Sequence, residues 1–201
     1  MRVIAVTQRV DTVSSYNEKR DALDQRWALF LRACGIVPIL IPNSPDSLSD
    51  IISNISINGI ILTGGNDLEK YGGTAPERDE TESLLLSHSI EKKIPLLGVC
   101  RGMQKILDFF GETLEKVTDH VGVEHSIFFK GQNRRVNSYY NWGLKEISSQ
   151  FNVLAKSVDG CIESIEHKEH SILGVMWHPE RNLEFDNLDI ELFKNWLRVG
   201  K

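Results

Sequence analysis

The sequence predicts an α/β protein, an open and mostly parallel sheet flanked by helices, with a small antiparallel β layer. Three observations carry that expectation. Short β-branched runs alternate with helical stripes through the first half of the chain, the pattern of repeated strand–helix units around a parallel sheet. The runs of the second half are short and β-type, with no helices between them. The length of 201 residues, with 41% hydrophobic and 25% charged residues, suits a single globular domain over residues 1–201. A chain of that size buries roughly 70% of its unfolded surface and needs no metal or disulfide staple.

The elements follow in order. Arg2–Thr7 is a β-branched run read as the first strand. Asp21–Cys34 puts Leu23, Trp27, Phe30, Leu31 and Cys34 on one helical stripe, stopped by Gly35. Val37–Ile41 reads as a buried strand closed by Pro42, and Ser47–Ser53 as a short helix. Gly59–Leu62 is a strand ending in Thr63-Gly64-Gly65-Asn66-Asp67. Asp79–Lys92 reads as a helix with Leu84, Leu85 and His88 on one face. Pro95–Val99 is a strand running straight into Cys100, and Arg101–Phe110 is a helix stopped by Gly111. Val123–Lys130, Arg134–Ser138, Asn152–Ser157, Cys161–Glu166 and Ile172–Trp177 are the β-type runs that build the antiparallel layer and return to the main sheet. Asp189–Arg198, with Leu192, Phe193, Trp196 and Leu197 clustered, closes the chain as an amphipathic helix.

Charge and cysteine content exclude several functions. Lys plus Arg is 23 against 28 for Asp plus Glu, a net charge of −5 with no basic run, which argues against nucleic-acid binding. No stretch approaches the ~18 apolar residues of a membrane span, and the apolar run of Met1–Thr7 is too short for the core of a signal peptide. The three cysteines, Cys34, Cys100 and Cys161, lack CxxC spacing, so neither a disulfide framework nor a zinc knuckle is expected. A soluble cytoplasmic protein with reduced thiols is the expectation.

One cysteine stands apart. In Gly98-Val99-Cys100-Arg101-Gly102 an apolar strand meets a helix at Gly-x-Cys-x-Gly, the cysteine form of a nucleophile elbow. The turn is so tight that the nucleophile takes strained backbone geometry and the residues two before and two after must be small. The sulfur then stands at a helix N-terminus, where the macrodipole favours the thiolate. Cys34 and Cys161 read as small buried residues.

A thiolate nucleophile needs a partner that takes and returns a proton. Of His88, His120, His125, His167, His170 and His178, only the last follows an apolar strand, Gly174–Trp177. Functional residues of open α/β sheets gather at such strand ends. Glu180, two residues on, can hydrogen-bond the imidazole, and Pro179 between them restricts the backbone. His88 reads as a half-buried residue on a helix. His167 and His170 fall in Glu166–Ser171, a charged turn, and their His-x-x-His spacing lacks a third metal ligand nearby.

Together these residues resemble the class I glutamine amidotransferases with their Cys-His-Glu triad, and more closely the stand-alone γ-glutamyl hydrolases of that family, such as those that cleave γ-glutamyl-γ-aminobutyrate. The segments that carry the resemblance are Arg78–Glu82, Gly98–Gln104, Asp159–Glu166 and Gly174–Glu180, in the family's order over nearly the whole chain. The resemblance implies a flavodoxin-like sheet, Cys100 as nucleophile, His178 as base and Glu180 as its orienter. It implies an oxyanion hole from the amides of Gly65 and Arg101, with Gly64 beside them. Gln104 matches a residue that helps hold the glutamyl backbone, although by itself it also reads as a helix-surface glutamine. Asn137, Ser138 and Tyr139 match a segment that lines the glutamyl pocket. Many relatives carry a histidine and a glutamine after Val-Asn-Ser; here Tyr140 and Asn141 stand in that stretch, so the leaving-group side is built for a different amine.

Arg134 and Arg135 just upstream read as a solvated strand face, or alternatively as a fork for an anionic leaving group. Chain size and the opening Val6–Asp11 also resemble a narrower group that splits γ-glutamyl-CDP-amidate in capsule phosphoramidate synthesis. The implied reaction is attack on a γ-glutamyl amide, a glutamyl thioester, and release of glutamate and an amine. A glutaminase subunit that passes ammonia from glutamine to a partner synthetase is the alternative; a cysteine peptidase and a silent binding module rank below it. No metal or organic cofactor is implied. The expected partners are a small γ-glutamyl substrate and at most a second copy of the chain in a homodimer, with no nucleic acid and no membrane.

Overall fold

The computed structural model describes residues 3–198, so Arg2 of the first anticipated strand lies outside the described residues. The amino-terminal half contains β1 (Val3–Val6), β2 (Arg9–Val13), β3 (Glu18–Ala22), α1 (Arg26–Ala33), β4 (Val37–Leu40), α2 (Pro45–Asn54), β5 (Gly59–Leu62), α3 (Pro76–Lys92), β6 (Leu96–Val99) and α4 (Arg101–Phe109). Then come β7 (Glu115–Lys116), β8 (Val121–Phe129), β9 (Gln132–Tyr139), β10 (Trp142–Gly143), β11 (Phe151–Lys156), β12 (Ile162–His167), β13 (Ile172–Val175) and α5 (Asn187–Trp196). The main sheet has seven strands in the order β11-β12-β13-β6-β5-β1-β4. Pairing is parallel from β13 through β4, and antiparallel at β11–β12 and β12–β13.

The strand sequences account for that order. β5, β6 and β13 read Gly-Ile-Ile-Leu, Leu-Leu-Gly-Val and Ile-Leu-Gly-Val and are buried at every position, as strands covered on both faces must be. β4 departs from the buried strand anticipated for Val37–Ile41: it is the sheet edge, with Val37 and Leu40 nearly half exposed. Pro38 explains this, because a residue without an N–H cannot serve an inner ladder. α1 and α5 pack together through Trp27, Phe30 and Phe193, with the Phe30 and Phe193 rings edge to face at 4.9 Å. α3 and α4 pack on each other and over β5. Among the described residues no helix is long and apolar enough to cross a membrane.

Several expectations are corrected. Residues Asp21 and Ala22 belong to β3, so the helix anticipated from Asp21 begins only at Arg26, and Leu23 precedes it. The β2–β3 hairpin has no apolar signature, because β3 is Glu-Lys-Arg-Asp-Ala and almost wholly exposed; a turn at Asn17, φ 52°, pairs it locally instead. On α3 the buried face is Arg78, Thr81, Glu82, Leu85, Leu86 and Ser89, while Leu84 points outward at 42% exposure. His167 is not in a solvated turn; it ends β12, buried and stacked with His170, with Phe110 and Phe151 packed against it. α5 starts two residues early because the Asp186 side chain caps it by accepting from the Leu188 amide at 2.8 Å.

The anticipated antiparallel layer is the β8–β9 hairpin, joined to the sheet by a bridge between Ile127 and Ser157. Its inward side chains are Ile127, Phe129 and Val136, with Phe129 edge to face on Trp177.

Candidate active site

β6 and β13 lie side by side in parallel, with Val99 level with Val175. The residues that leave their carboxyl ends are therefore neighbours, although they are far apart in the chain. Cys100 leaves β6 with φ 51° and ψ −107° and caps α4, whose first residue is Arg101. It is buried to 6% exposure. The flanking glycines are required by space: a Cβ on Gly102 would lie 2.1 Å from the Leu62 carbonyl oxygen, and one on Gly98 would lie 2.5 Å from the Gly102 backbone. The strained turn read from Gly-x-Cys-x-Gly is thus present, with its cause.

His178 follows Trp177 at the end of β13's extension and opens a single helical turn, Pro179–Arg181. Its Nδ1 lies 2.7 Å from Glu180 Oε1, and both side chains are buried. That leaves Nε2 for the sulfur. Asn137 holds the backbone of this histidine from both sides, accepting from the His178 amide at 2.8 Å and donating to its carbonyl at 2.8 Å. The Tyr139 ring stands edge to face against the imidazole, centroids 5.6 Å apart, and a Cβ on Gly64 would collide with Cε1 at 2.5 Å. Burial alone would lower the pKa of His178. The charge of the Cys100 sulfur, a hydrogen bond to it and the Glu180 carboxylate outweigh burial and push the imidazole up to about 9. At neutral pH the ring is therefore charged, facing the sulfur.

The glycine loop is positioned by a charged network that sequence reasoning missed. Arg78, fully buried on α3, donates to the carbonyls of Thr63 at 2.7 Å and Gly64 at 3.1 Å, and also to that of Gly65. Burial and the neighbouring Arg101 pull its guanidinium down to about 10, still charged at neutral pH. Glu82 binds Arg78 at 3.0 Å and Thr7 at 2.8 Å, and Arg101 reaches both Glu82 and Asp79. The side chain of Arg101 thus anchors the start of α4 to α3. The amides of Gly65 and Arg101 are engaged by no intramolecular hydrogen bond among the described residues. The available signal was Arg78 and Glu82 at i,i+4, in register with Thr81, Leu85 and Ser89 on the buried face.

Cys100, His178, Gly65, Gln104, Tyr139 and Arg181 line one cleft of about 340 Å³. Gln104 is buried, which removes the helix-surface reading, and its Nε2 donates to the Trp142 carbonyl at 2.8 Å. Asn137 and Ser138 stand behind the cleft: the Asn137 amide is committed to His178, and Ser138 Oγ donates to the His120 carbonyl at 2.7 Å. Tyr140 is buried against His120 and donates to Glu163, while Asn141 is exposed on the cleft wall. Neither reading of the paired arginines holds for Arg134. It makes two bonds to Asp189, at 3.0 and 2.8 Å, binds Asp186 and lies over the Trp177 ring, so it ties β9 to α5. Arg135 is exposed, 3.3 Å from Glu124 across the hairpin. Cys34 is buried, which pushes its thiol up to about 12, as expected for a structural cysteine.

A sulfur at a helix N-terminus, a charged imidazole oriented by a carboxylate, and two unengaged amides together suit attack on a carbonyl and protonation of a leaving nitrogen. Comparison with known proteins agrees with that class of chemistry. The family model "Glutamine amidotransferase class-I" matches residues 21–197. The chain is 33% identical over 201 residues to the gamma-glutamyl-CDP-amidate hydrolase of Campylobacter jejuni, covering 98% of both chains. It is 35% identical to a glutamine-hydrolyzing GMP synthase subunit of Methanococcus maripaludis over 150 residues, 70% of this chain and 73% of that one. In fold it is similar to a putative GMP synthase subunit from Thermoplasma acidophilum, with a TM-score of 0.74, 19% identity and coverage of 99% and 94%.

Proposed function

The chain belongs to the class-I glutamine amidotransferase family and is a hydrolase of amide bonds, and from that premise we propose that it cleaves γ-glutamyl amides through Cys100, with γ-glutamyl-CDP-amidate as its substrate. The single observation that supports the reaction is that Cys100 and His178 line one cleft together with Gly65 and Arg101, whose amides are unengaged among the described residues. The near-full-length likeness to a hydrolase of that name supports the substrate.

The proposed steps are these. Cys100 Sγ attacks the γ-carbonyl carbon, and the oxygen takes up negative charge against the amides of Gly65 and Arg101. The imidazolium of His178 gives its proton to the departing nitrogen, the C–N bond breaks and a glutamyl thioester remains. Water then loses a proton to His178, attacks the thioester carbon and expels the thiolate, releasing glutamate. Glu180 keeps the imidazole in the required tautomer throughout.

The cleft also offers a cation to an anionic leaving group. Of its two arginines, Arg101 is committed to Glu82 and Asp79, whereas Arg181 is one-third exposed, with its guanidinium 4.4 Å over the Tyr139 ring. In this reading Arg181 meets the diphosphate, Tyr139 and Gln104 flank the glutamyl group, and the enzyme acts in the cytoplasm in capsule phosphoramidate synthesis.

Glutamate release from glutamine, γ-glutamyl-aminobutyrate and γ-glutamyl-CDP-amidate tests the proposal, with Cys100→Ala as the blank. Preference for the nucleotide amidate, at least about 100-fold in kcat/KM, and a raised KM for that substrate alone in Arg181→Ala are the expected results. Equal or better turnover of glutamine would overturn the substrate. Retained activity in Cys100→Ala would overturn the mechanism.

A further inference from the structure

Tyr140 lines the cleft on one side and carries its hydroxyl into a second cluster, which the proposed reaction does not use. His120 precedes β8, His125 lies within it and Glu163 lies in β12. The two imidazoles meet edge to face, centroids 5.0 Å apart. His125 Nε2 is 2.9 Å from Glu163 Oε1 and His120 Nδ1 is 3.9 Å from it, and the three donor atoms lie within 4.8 Å of one another.

Two further observations point to a ligand. His120 is 4% exposed and Glu163 0%, yet His120 Nδ1, His125 Nε2 and Glu163 Oε2 have no hydrogen-bond partner among the described residues. Buried polar atoms are ordinarily satisfied, and here two imidazole nitrogens without a partner, His120 Nδ1 and His125 Nε2, both stand close to the Glu163 carboxylate, 3.9 and 2.9 Å from its Oε1. The second nitrogen of His120, Nε2, stands 3.3 Å from Asp159 Oδ2. A carboxylate on the outer nitrogen places the proton there and leaves the lone pair of Nδ1 directed inward, the arrangement that orients metal-bound histidines.

We propose that His120, His125 and Glu163 bind a divalent transition-metal ion, zinc by the preference of two imidazoles and one carboxylate. Bonds of about 2.1 Å in tetrahedral geometry place donor atoms about 3.4 Å apart, between the two separations observed. The fourth position opens toward a cavity of about 320 Å³ bordered by Thr118, Asp119, Ser157 and Val158, through which an ion and its water enter. The ion fastens the β8–β9 hairpin to β12 and, through Glu163, fixes Tyr140 on the cleft wall. The site is independent of the proposed reaction. It is separate from His167 and His170, whose His-x-x-His spacing lacks a third ligand and which stack on each other beside Phe110.

Titration of the full chain with zinc chloride after EDTA treatment and dialysis, followed by calorimetry and thermal unfolding, is the test. One ion per chain is expected, with Tm raised by about 5 °C or more at a hundredfold excess over Kd. His125→Ala weakens binding more than about 100-fold, and Asp159→Asn, at a half-exposed position that leaves all three ligands in place, weakens it about 10- to 100-fold. Cys100→Ala binds as the parent does. Absence of binding by the parent, unchanged binding in His125→Ala, or loss of binding in Cys100→Ala each overturns the site; the second with binding lost in Asp159→Asn assigns the ion to His120, Asp159 and Cys161, and the last assigns it to the Cys100–His178 pair.

Discussion

Cys100 adopts a backbone conformation that costs a residue with a Cβ about 1–3 kcal/mol, and its neighbours leave no route to relaxation. Gly102→Ala therefore belongs among the severe substitutions. Its Cβ would press into the Leu62 carbonyl, and a loss of about 3 kcal/mol or more is expected in urea unfolding. Val158→Ala is the contrast, at an 89% exposed position, where the urea midpoint stays put. The ionisation of His178 offers a second measurement. Because the Cys100 sulfur and Glu180 raise its pKa against burial, Cys100→Ala removes part of the support and leaves the burial. The imidazole pKa, followed by NMR, falls from about 9 in that variant; an unchanged value would mean that sulfur and ring are not paired. In the proposed reaction the imidazolium that protonates the leaving nitrogen is present below about 9 and is lost as pH rises through it, so a decline in turnover there is the expected result.

At the scale of elements, α3 carries the positioning of the cleft. Arg78 gathers three successive carbonyls of the glycine loop, and Glu82 joins it to Arg101 at the head of α4. Arg78→Met leaves those carbonyls and part of the Glu82 charge without a partner, for an expected loss of about 3–5 kcal/mol in urea unfolding. Arg78→Lys keeps the charge but cannot span three acceptors, so it recovers stability better than turnover. The sequence disclosed the strand–helix frame, the strained elbow and the strand end bearing His178, because each rests on local pattern: apolar runs, paired glycines and a proline. It did not disclose α3's charged face, since a buried Arg–Glu pair is indistinguishable by composition from a solvated one until the helix is docked. β3 escapes sequence pattern for the complementary reason, since its placement follows from a turn rather than from apolar periodicity, whereas Pro38 is a legible mark of the edge position of β4.

For the molecule as a whole, stability is expected to respond to acid through Glu82. Burial raises its carboxyl pKa, but Arg101 and Arg78 outweigh burial and hold it below 4.5. Its contribution is complete above about 4.5 and is lost as pH falls through the lower folded value, so Tm measured from pH 7 to 3 drops at the acid end. The hairpin layer is held to the body through Arg134. Arg134→Ala leaves the buried Asp189 short of its cation and costs about 3 kcal/mol, whereas Arg135→Ala on the exposed strand face costs less than about 0.5 kcal/mol. The strand order has a consequence for how the chain is made. β13 inserts between β6 and β12, so a ribosome that has released the chain only through α4 has exposed β6 with one flank unpaired. That flank is Leu96, Leu97 and Val99, an apolar ribbon with open amides and carbonyls beside a free thiol. Until roughly seventy further residues emerge, the nascent chain holds its thiol without His178 beside it in the cleft, and its stickiest edge has no cover.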